Sequence, residues 1–256
     1  MAINVNTVYT TVLSILNKEQ RGYLTPDEFN KAATQAQLDV FENYFINMDK
    51  QLVAHQSNFD YSNPETNIDD ELSIFKCFGS CVMGGGSNFF TLPAFDLITN
   101  NQITYNDVVD PTASPSQFAF YRLGTVVYGS GEMQVERLQR GDFYTVDRSD
   151  LTKPSENFPV YLYENNQLRI KPTSITDQVS ASFIRKPLNV KWGFSVSNIG
   201  AYIYEPTMSQ DFEVSSNKQT ELILDIIKYA GVVLRDSLIV QSAAQELAQR
   251  EANTKK

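Results

Sequence analysis

Residues 17–28, which run from Asn17 through Arg21, Gly22 and Leu24 to Glu28, come nearest to a ligand-binding motif in this sequence. Gly22 stands at the sixth position of a calcium loop, Leu24 at the eighth and Glu28 at the twelfth. Asn17 replaces the first carboxylate, however, and Arg21 aims a cation at the fifth ligand position. Glu28 is also better used in a helix cap, so calcium is not expected here. Cys77 and Cys81 are four residues apart, and His55 is the only histidine. A structural zinc site takes about four ligands, so two thiols would complete one only across a subunit interface. A disulfide is disfavoured in a reducing cytosol. Buried thiols acting as small apolar side chains are the default. Gly84-Gly85-Gly86 lacks the following Lys-Ser/Thr of a phosphate loop. No serine or cysteine forms a recognisable nucleophile motif with His55, which reads as an exposed residue near a helix end. With 30 Asp and Glu, a glycosidase-like pair could always be posed, so that observation discriminates nothing. Asp69-Asp70-Glu71 reads as a helix start or a solvated face. The 16 Phe and 13 Tyr could line a sugar or protein contact, but strands and cores use them routinely. No enzyme, metal or cofactor is expected.

The elements that would position these residues are plainer. Thr25 and Glu28 have capping-box spacing, Pro26 suits the first helical position, and Asp27 and Glu28 face the positive end of the helix dipole. Phe29, Ala32, Ala33, Ala36, Val40, Phe41, Tyr44, Phe45, Met48 and Leu52 then recur at helical spacing, which predicts a helix over residues 26–54 with Lys31, Gln35, Asp39, Asn43 and Asn47 facing away. A first helix over 6–16, with Val8, Val12, Ile15 and Leu16 on one face, joins it through a short turn, as in a helical hairpin. Residues 57–70 read as an exposed connection and 72–83 as ambiguous between helix and strand. From Gly84 to about residue 117 the chain reads as irregular surface structure. Strands follow over 118–128, 133–138, 160–163, 167–171, 179–185, 190–196 and 201–204, with 143–151 a short helix or loop. The clearest hairpin turns at Glu164-Asn165-Asn166, because Asn tolerates positive φ. Ser216 and Gln219 offer a second capping box, and Leu222, Ile223, Ile226, Ile227, Ala230, Val233 and Leu234 form the stripe behind it. After a corner at Arg235-Asp236-Ser237, Asp236 caps a last helix through Leu238, Ala243, Ala244 and Leu247.

The expected fold class is therefore α+β: a helical bundle built from both chain ends, with an antiparallel sandwich- or barrel-like β module inserted. The expected divisions are 1–60 (helical hairpin), 61–117 (irregular connection), 118–210 (β module) and 211–256 (closing helices and tail). The net charge of −9 and pI near 4.7 argue against a protein that grips nucleic acid through phosphates. No apolar run approaches the ~18 residues of a membrane helix. The first residues lack a secretory signal, so synthesis in a cytosol without export is expected.

Residues 13–30, from Leu13-Ser14-Ile15-Leu16 through Arg21-Gly22-Tyr23-Leu24 to Thr25-Pro26-Asp27-Glu28-Phe29-Asn30, precede Phe41-Glu42-Asn43-Tyr44-Phe45. Both segments resemble the opening of virion proteins of crAss-like and related short-tailed phages. Further likenesses lie in Phe158-Pro159-Val160-Tyr161, Leu168-Arg169-Ile170-Lys171-Pro172, Phe183-Ile184-Arg185-Lys186-Pro187, Trp192-Gly193 and the helix pair over 222–246. The chain thus resembles the head-to-tail connector class, also called ring, adaptor or tail tubular proteins. That resemblance implies a virion protein in the phage neck, a homo-oligomeric ring of roughly twelve copies. Its partners would be the portal protein and the next tail or ring protein. DNA would only pass through the channel, and no membrane is involved. Partner contacts are expected at Ile223, Ile227 and Leu234 on the outer side of one helix, and at Lys255 and Lys256 in the tail. The rival expectation is a tail-associated binding module whose exposed tyrosines or Trp192 contact host-surface glycans.

Overall fold

The structure, a computed structural model, describes residues 3–18, 24–51, 64–84, 89–96, 101–104, 120–130, 133–165, 167–233 and 237–254. The fold is mixed α and β. Among these residues the helices are α1 (Val5–Lys18), α2 (Pro26–Gln51), α3 (Pro64–Leu72), α4 (Arg140–Arg148), α5 (Gln219–Val233) and α6 (Ser237–Thr254). The strands are β1 (Lys76–Ser80), β2 (Val82–Met83), β3 (Phe89–Thr91), β4 (Pro93–Asp96), β5 (Asn101–Thr104), β6 (Phe120–Tyr128), β7 (Met133–Arg137), β8 (Val160–Glu164), β9 (Gln167–Lys171), β10 (Val179–Arg185), β11 (Phe194–Val196) and β12 (Tyr202–Tyr204). Two compact units result: Met1–Ile74 with Pro187–Lys256, and Phe75–Lys186.

In the first unit, α1 is held at its start by Asn4, whose Oδ1 accepts the Thr7 N–H at 3.1 Å, and by Asp211, whose Oδ1 accepts the Val5 N–H at 2.8 Å. Val5, Val8, Tyr9, Val12 and Leu16 are buried, whereas Ile15, expected on the same face, is exposed. The Thr25 capping box forms. Its N–H and hydroxyl donate to Glu28 Oε2 at 2.9 and 2.7 Å, and the Glu28 N–H reaches back to Thr25 Oγ1 at 3.4 Å. These bonds hold the Glu28 carboxyl below its usual pKa. A carboxyl lowered in the folded state stabilises fully above its unfolded pKa, and that contribution is lost as pH falls through the folded pKa. The Glu28→Gln variant should therefore differ from the parent in stability at neutral pH and converge with it in acid. A constant gap in denaturation curves down to low pH would count against the cap.

The apolar stripe of α2 is buried from Phe29 to Phe45, Met48 is half-buried and Leu52 lies outside the described residues; α2 and α1 both pack on α5, which packs on α6. The other side of α2 does something the stripe does not announce. Asn30, Thr34 and Gln37, four and three residues apart and so on one helical row, each bond to the backbone of an extended segment. Asn30 exchanges bonds with Trp192, Thr34 Oγ1 donates to Val190 O at 3.4 Å, and Gln37 Nε2 donates to Leu188 O at 2.7 Å. Alternate residues of an extended chain are ~6.6 Å apart, close to the rise of one helical turn, so the two periods run in step.

The second unit is one eight-stranded sheet in the order β1-β10-β6-β7-β8-β9-β3-β2, beside a separate β4–β5 pair. The sheet is nearly closed. Its two edge strands, β1 and β2, are successive parts of one extended stretch: residues 76–80 pair with β10, and 82–83 with β3. At the changeover the Cys81 N–H donates to Val179 O at 2.7 Å. Cys81, Phe90, Leu92, Val126, Leu168, Ile170 and Val179 belong to its core. All pairs are antiparallel except β7 with β8. A parallel pair needs a crossover, and α4 lies in it. Phe143 of α4 packs on Val160 and Leu162, covering the outer face of β8 and making successive residues 160–162 buried. The β8–β9 hairpin sets Glu164 opposite Gln167, with Asn165 at φ +53°, as its sequence predicts.

Several expectations are corrected. The region read as irregular contains α3 and β1–β5. Residues 76–83, within the stretch ambiguous between helix and strand, are β1 and β2, and their pattern is inverted, with Gly79 and Cys81 inside while Phe78 and Val82 face out. Of the two readings of Asp69 and Asp70, the solvated face holds and the helix start does not: both are exposed near the end of α3. Ser216 does not cap α5: it sits inside a 3-10 turn, and Ser215 before it makes no side-chain cap. Strands β11 and β12 pair only with each other and not with the large sheet. Residues 52–63 and Asp236 lie outside the described residues.

Candidate functional site

In the first unit the chain leaves α2's polar row at Trp192 and turns into the β11–β12 hairpin. Trp192 fixes the root. Its ring centroid lies 4.2 Å from that of Tyr9, 5.9 Å from Phe194 and 5.7 Å from Tyr204. Its backbone N–H donates to Asn30 Oδ1 at 2.7 Å, and its indole N–H to Asn6 Oδ1 at 3.0 Å. Gly193 is required next, since a Cβ there would stand 2.7 Å from the backbone carbonyl carbon of Met208. Beyond the root, the hairpin turns at Gly200, whose φ of +79° favours glycine. Val196, Ile199, Tyr202 and Ile203 around this turn are exposed, Ile199 by 89%. Residues 194–204 contain no charged side chain.

In the second unit a groove of about 350 Å³ opens beside the α4–β8 connection. Leu138, Val146, Phe158, Pro159 and Val160 give it apolar walls, and Glu136 and Lys153 contribute one charge of each sign. The connection turns through a Phe158 N–H bond to Ser155 O at 3.0 Å. It presents Leu151, 94% exposed, and Phe158, 79% exposed. A second cleft of about 460 Å³ is lined by Arg137, Arg140, Tyr163 and Glu164. Arg140 pairs with Glu164 at 3.3 Å, and the Arg137 guanidinium lies 5.6 Å from the Tyr163 ring centroid. Nearby, Arg169 lies between Phe89 and Tyr144, 5.5 and 5.7 Å from their centroids, and donates to the Tyr144 hydroxyl at 2.9 Å. Lys171 pairs with Asp147 at 3.2 Å. These cations are matched by carboxylates and rings already, and exposed pairs of this kind contribute about 0–1 kcal/mol.

Of the residues expected to contact partners, Ile223 is half-buried and Ile227 is buried. Leu234, Lys255 and Lys256 lie outside the described residues, as do His55, Gly85 and Gly86. Cys77 and Cys81 are both thiols. Extended chain separates residues four apart by roughly 13 Å, well beyond disulfide reach. Burial pushes the Cys81 thiol up to about 12, which removes its nucleophilic form at neutral pH. The Tyr229 hydroxyl donates to Asp39, and burial together with that carboxylate raises the Tyr229 pKa to about 12. The Tyr44 hydroxyl is buried without a well-formed hydrogen bond among the described residues. Burial and the Glu71 and Glu221 carboxylates push its pKa up. Among the described residues, no group of three His, Cys, Asp or Glu gathers as a metal set, and no helix is long and apolar enough to cross a membrane.

No protein-family model and no curated protein matches this sequence.

The most prominent surface features are the uncharged hairpin and the Leu151–Phe158 loop beside its groove; of these residues, Phe158 entered only through the phage-protein likeness, and none was expected by number to contact a partner. No signal pointed to the first, since longer uncharged runs occur over residues 1–17 and 77–95. Nor did one point to the second, because Leu151 stands alone among polar neighbours and Phe158 reads as the start of the apolar run that becomes β8.

Proposed function

We propose that this chain is a structural virion protein that assembles as a ring of roughly twelve copies in a phage neck. There it sits below the portal, extends the DNA channel and joins head to tail. Beside the sequence resemblance, one observation carries this reading: charge is divided unevenly between the two units. Met1–Ile74 with Pro187–Lys256 holds eleven Lys and Arg against nineteen Asp and Glu, whereas Phe75–Lys186 holds ten against eleven. An acidic channel wall repels phosphate and lets DNA slide without gripping it. In this reading the helices of the two chain ends form a bundle that builds the ring wall. The β unit faces outward or downward, with Ile223, Leu234, Lys255 and Lys256 toward neighbouring subunits or the portal.

Electron microscopy of the purified protein, alone and mixed with the portal of the same virus, tests this. Rings are expected, in isolation or on the portal. Monomers or trimers that ignore the portal would sink the proposal. The glycan-binding reading has less support, because Trp192 is only 4% exposed and its indole N–H is already engaged by Asn6.

A further inference from the structure

We infer that the β11–β12 hairpin is an assembly arm whose tip, around Ile199, docks into the groove beside Phe158 on a second copy of this chain. This inference rests on the reading of the chain as self-assembling, and names the surfaces through which copies meet.

The arm is built to project. A two-stranded hairpin is marginal in water by itself, but here its root is fixed by the Trp192 stack and by the fit of Gly193 against Met208. The ladder continues past the named strands, since the Ser197 N–H donates to Ala201 O and the Glu205 N–H to Gly193 O. The tip is thus held in shape before it meets anything, which lowers the ordering cost of association. Val196, Ile199, Tyr202 and Ile203 spread over both faces of the hairpin and all stand in solvent. Together they give the turn an apolar surface without a charged side chain.

Charge selects the occupant. Two copies each carry −9, so association is opposed wherever acidic surfaces meet. A face-to-face contact between two of the acidic units would bring eight excess negative charges against eight. An acidic unit against the other unit brings eight against one. The arm belongs to the acidic unit but is itself uncharged, and the groove contributes Glu136 and Lys153, which balance. Docking the arm there desolvates no unmatched net charge. The contact joins two different surfaces, so every copy both gives an arm and receives one. Repeated, it closes into a ring or runs on as a filament.

This geometry has a specific test by mixing. Ile199→Asp blocks the arm and Phe158→Asp blocks the groove. Both sites are exposed enough that circular dichroism should show native folds, with Ile199→Ser and Phe158→Ser as milder substitutes. Each variant alone should stay monomeric by analytical ultracentrifugation under conditions where the parent chain assembles. Mixed in equal amounts they should form one-to-one dimers and stop there, because the intact arm of one fits the intact groove of the other and no further pair remains. Parent-like assembly by either variant alone would overturn the arm while leaving the ring proposal standing. A mixture that stays monomeric would overturn it as well. A parent chain that makes no rings, with variants that still form one-to-one dimers, would support the arm contact and sink the ring.

Discussion

Trp192→Ala should cost about 4 kcal/mol in folding free energy, the range for emptying a large aromatic site in a packed interior. The indole is the hub of four other rings' packing: it touches Tyr9, Phe194 and Tyr204 directly, and Tyr9 in turn meets Phe29 at 4.8 Å. Removing it also strands Asn6 Oδ1, which accepts its N–H. Domains of this size are stable by only about 5–15 kcal/mol, so the variant would retain little margin. Urea denaturation followed by circular dichroism gives the number directly. Trp192→Phe separates the contributions, since it keeps most of the ring stack and loses only the indole bond, and should cost about 1–2 kcal/mol. A loss under about 1 kcal/mol for Trp192→Ala would mean that the hairpin root is not held by this stack.

Gln37→Leu is expected to cost about 3 kcal/mol even though leucine is the better helix former and nearly the same length. Gln37 is 1% exposed and uses both ends of its amide: Nε2 donates to Leu188 O at 2.7 Å, and Oε1 accepts the Glu213 N–H at 2.9 Å. The Leu188 N–H donates to Glu213 Oε2 at 2.8 Å, which closes the triangle. Leucine would leave one carbonyl and one N–H facing an apolar surface, at about 1–3 kcal/mol each. Thr34→Val, one turn earlier on the same row, removes only a 3.4 Å bond and should cost less than about 1 kcal/mol. Equal losses for the two variants, measured by chemical denaturation, would show that burial of the row matters and its hydrogen bonds do not.

The contrast between α2's two sides shows how far sequence patterns reach. Its apolar stripe and its Thr25 cap are local and follow from spacing alone. The polar row is invisible to periodicity, because Asn30, Thr34 and Gln37 look like solvated positions until residues 188–192 are laid against them. Strand β1 fails for the opposite reason. Buried Gly79 and Cys81 are small and exposed Phe78 and Val82 are large, so any rule that sends large apolar residues inward misreads it. The parallel β7–β8 pair was hidden because the crossover helix α4 is only nine residues long and mostly polar. For the candidate site, the stripe on α5 could not tell side chains that meet a partner from those covered by their own unit, and Ile227 is of the second kind. The arm's lack of charge was legible, but its exposure was not, because residues 190–204 read equally well as strands of the large sheet.

The extended stretch over residues 76–83 sets a clock on biosynthesis. Its first neighbour in the sheet, β10, begins at Val179, and the strand that ties down β3, its second neighbour, begins at Gln167. A ribosome adding roughly 5–20 residues per second needs on the order of 5–20 s to travel from Cys81 to Val179. For that interval Gly79 and Cys81, buried in the finished sheet, have no β10 to close over them, and α2 likewise waits for α5 and for residues 188–192. Neither unit can mature as a growing chain lengthens, so nascent copies need shielding until translation is nearly finished. Fragments that stop short of Arg185 should emerge insoluble, without a closed sheet.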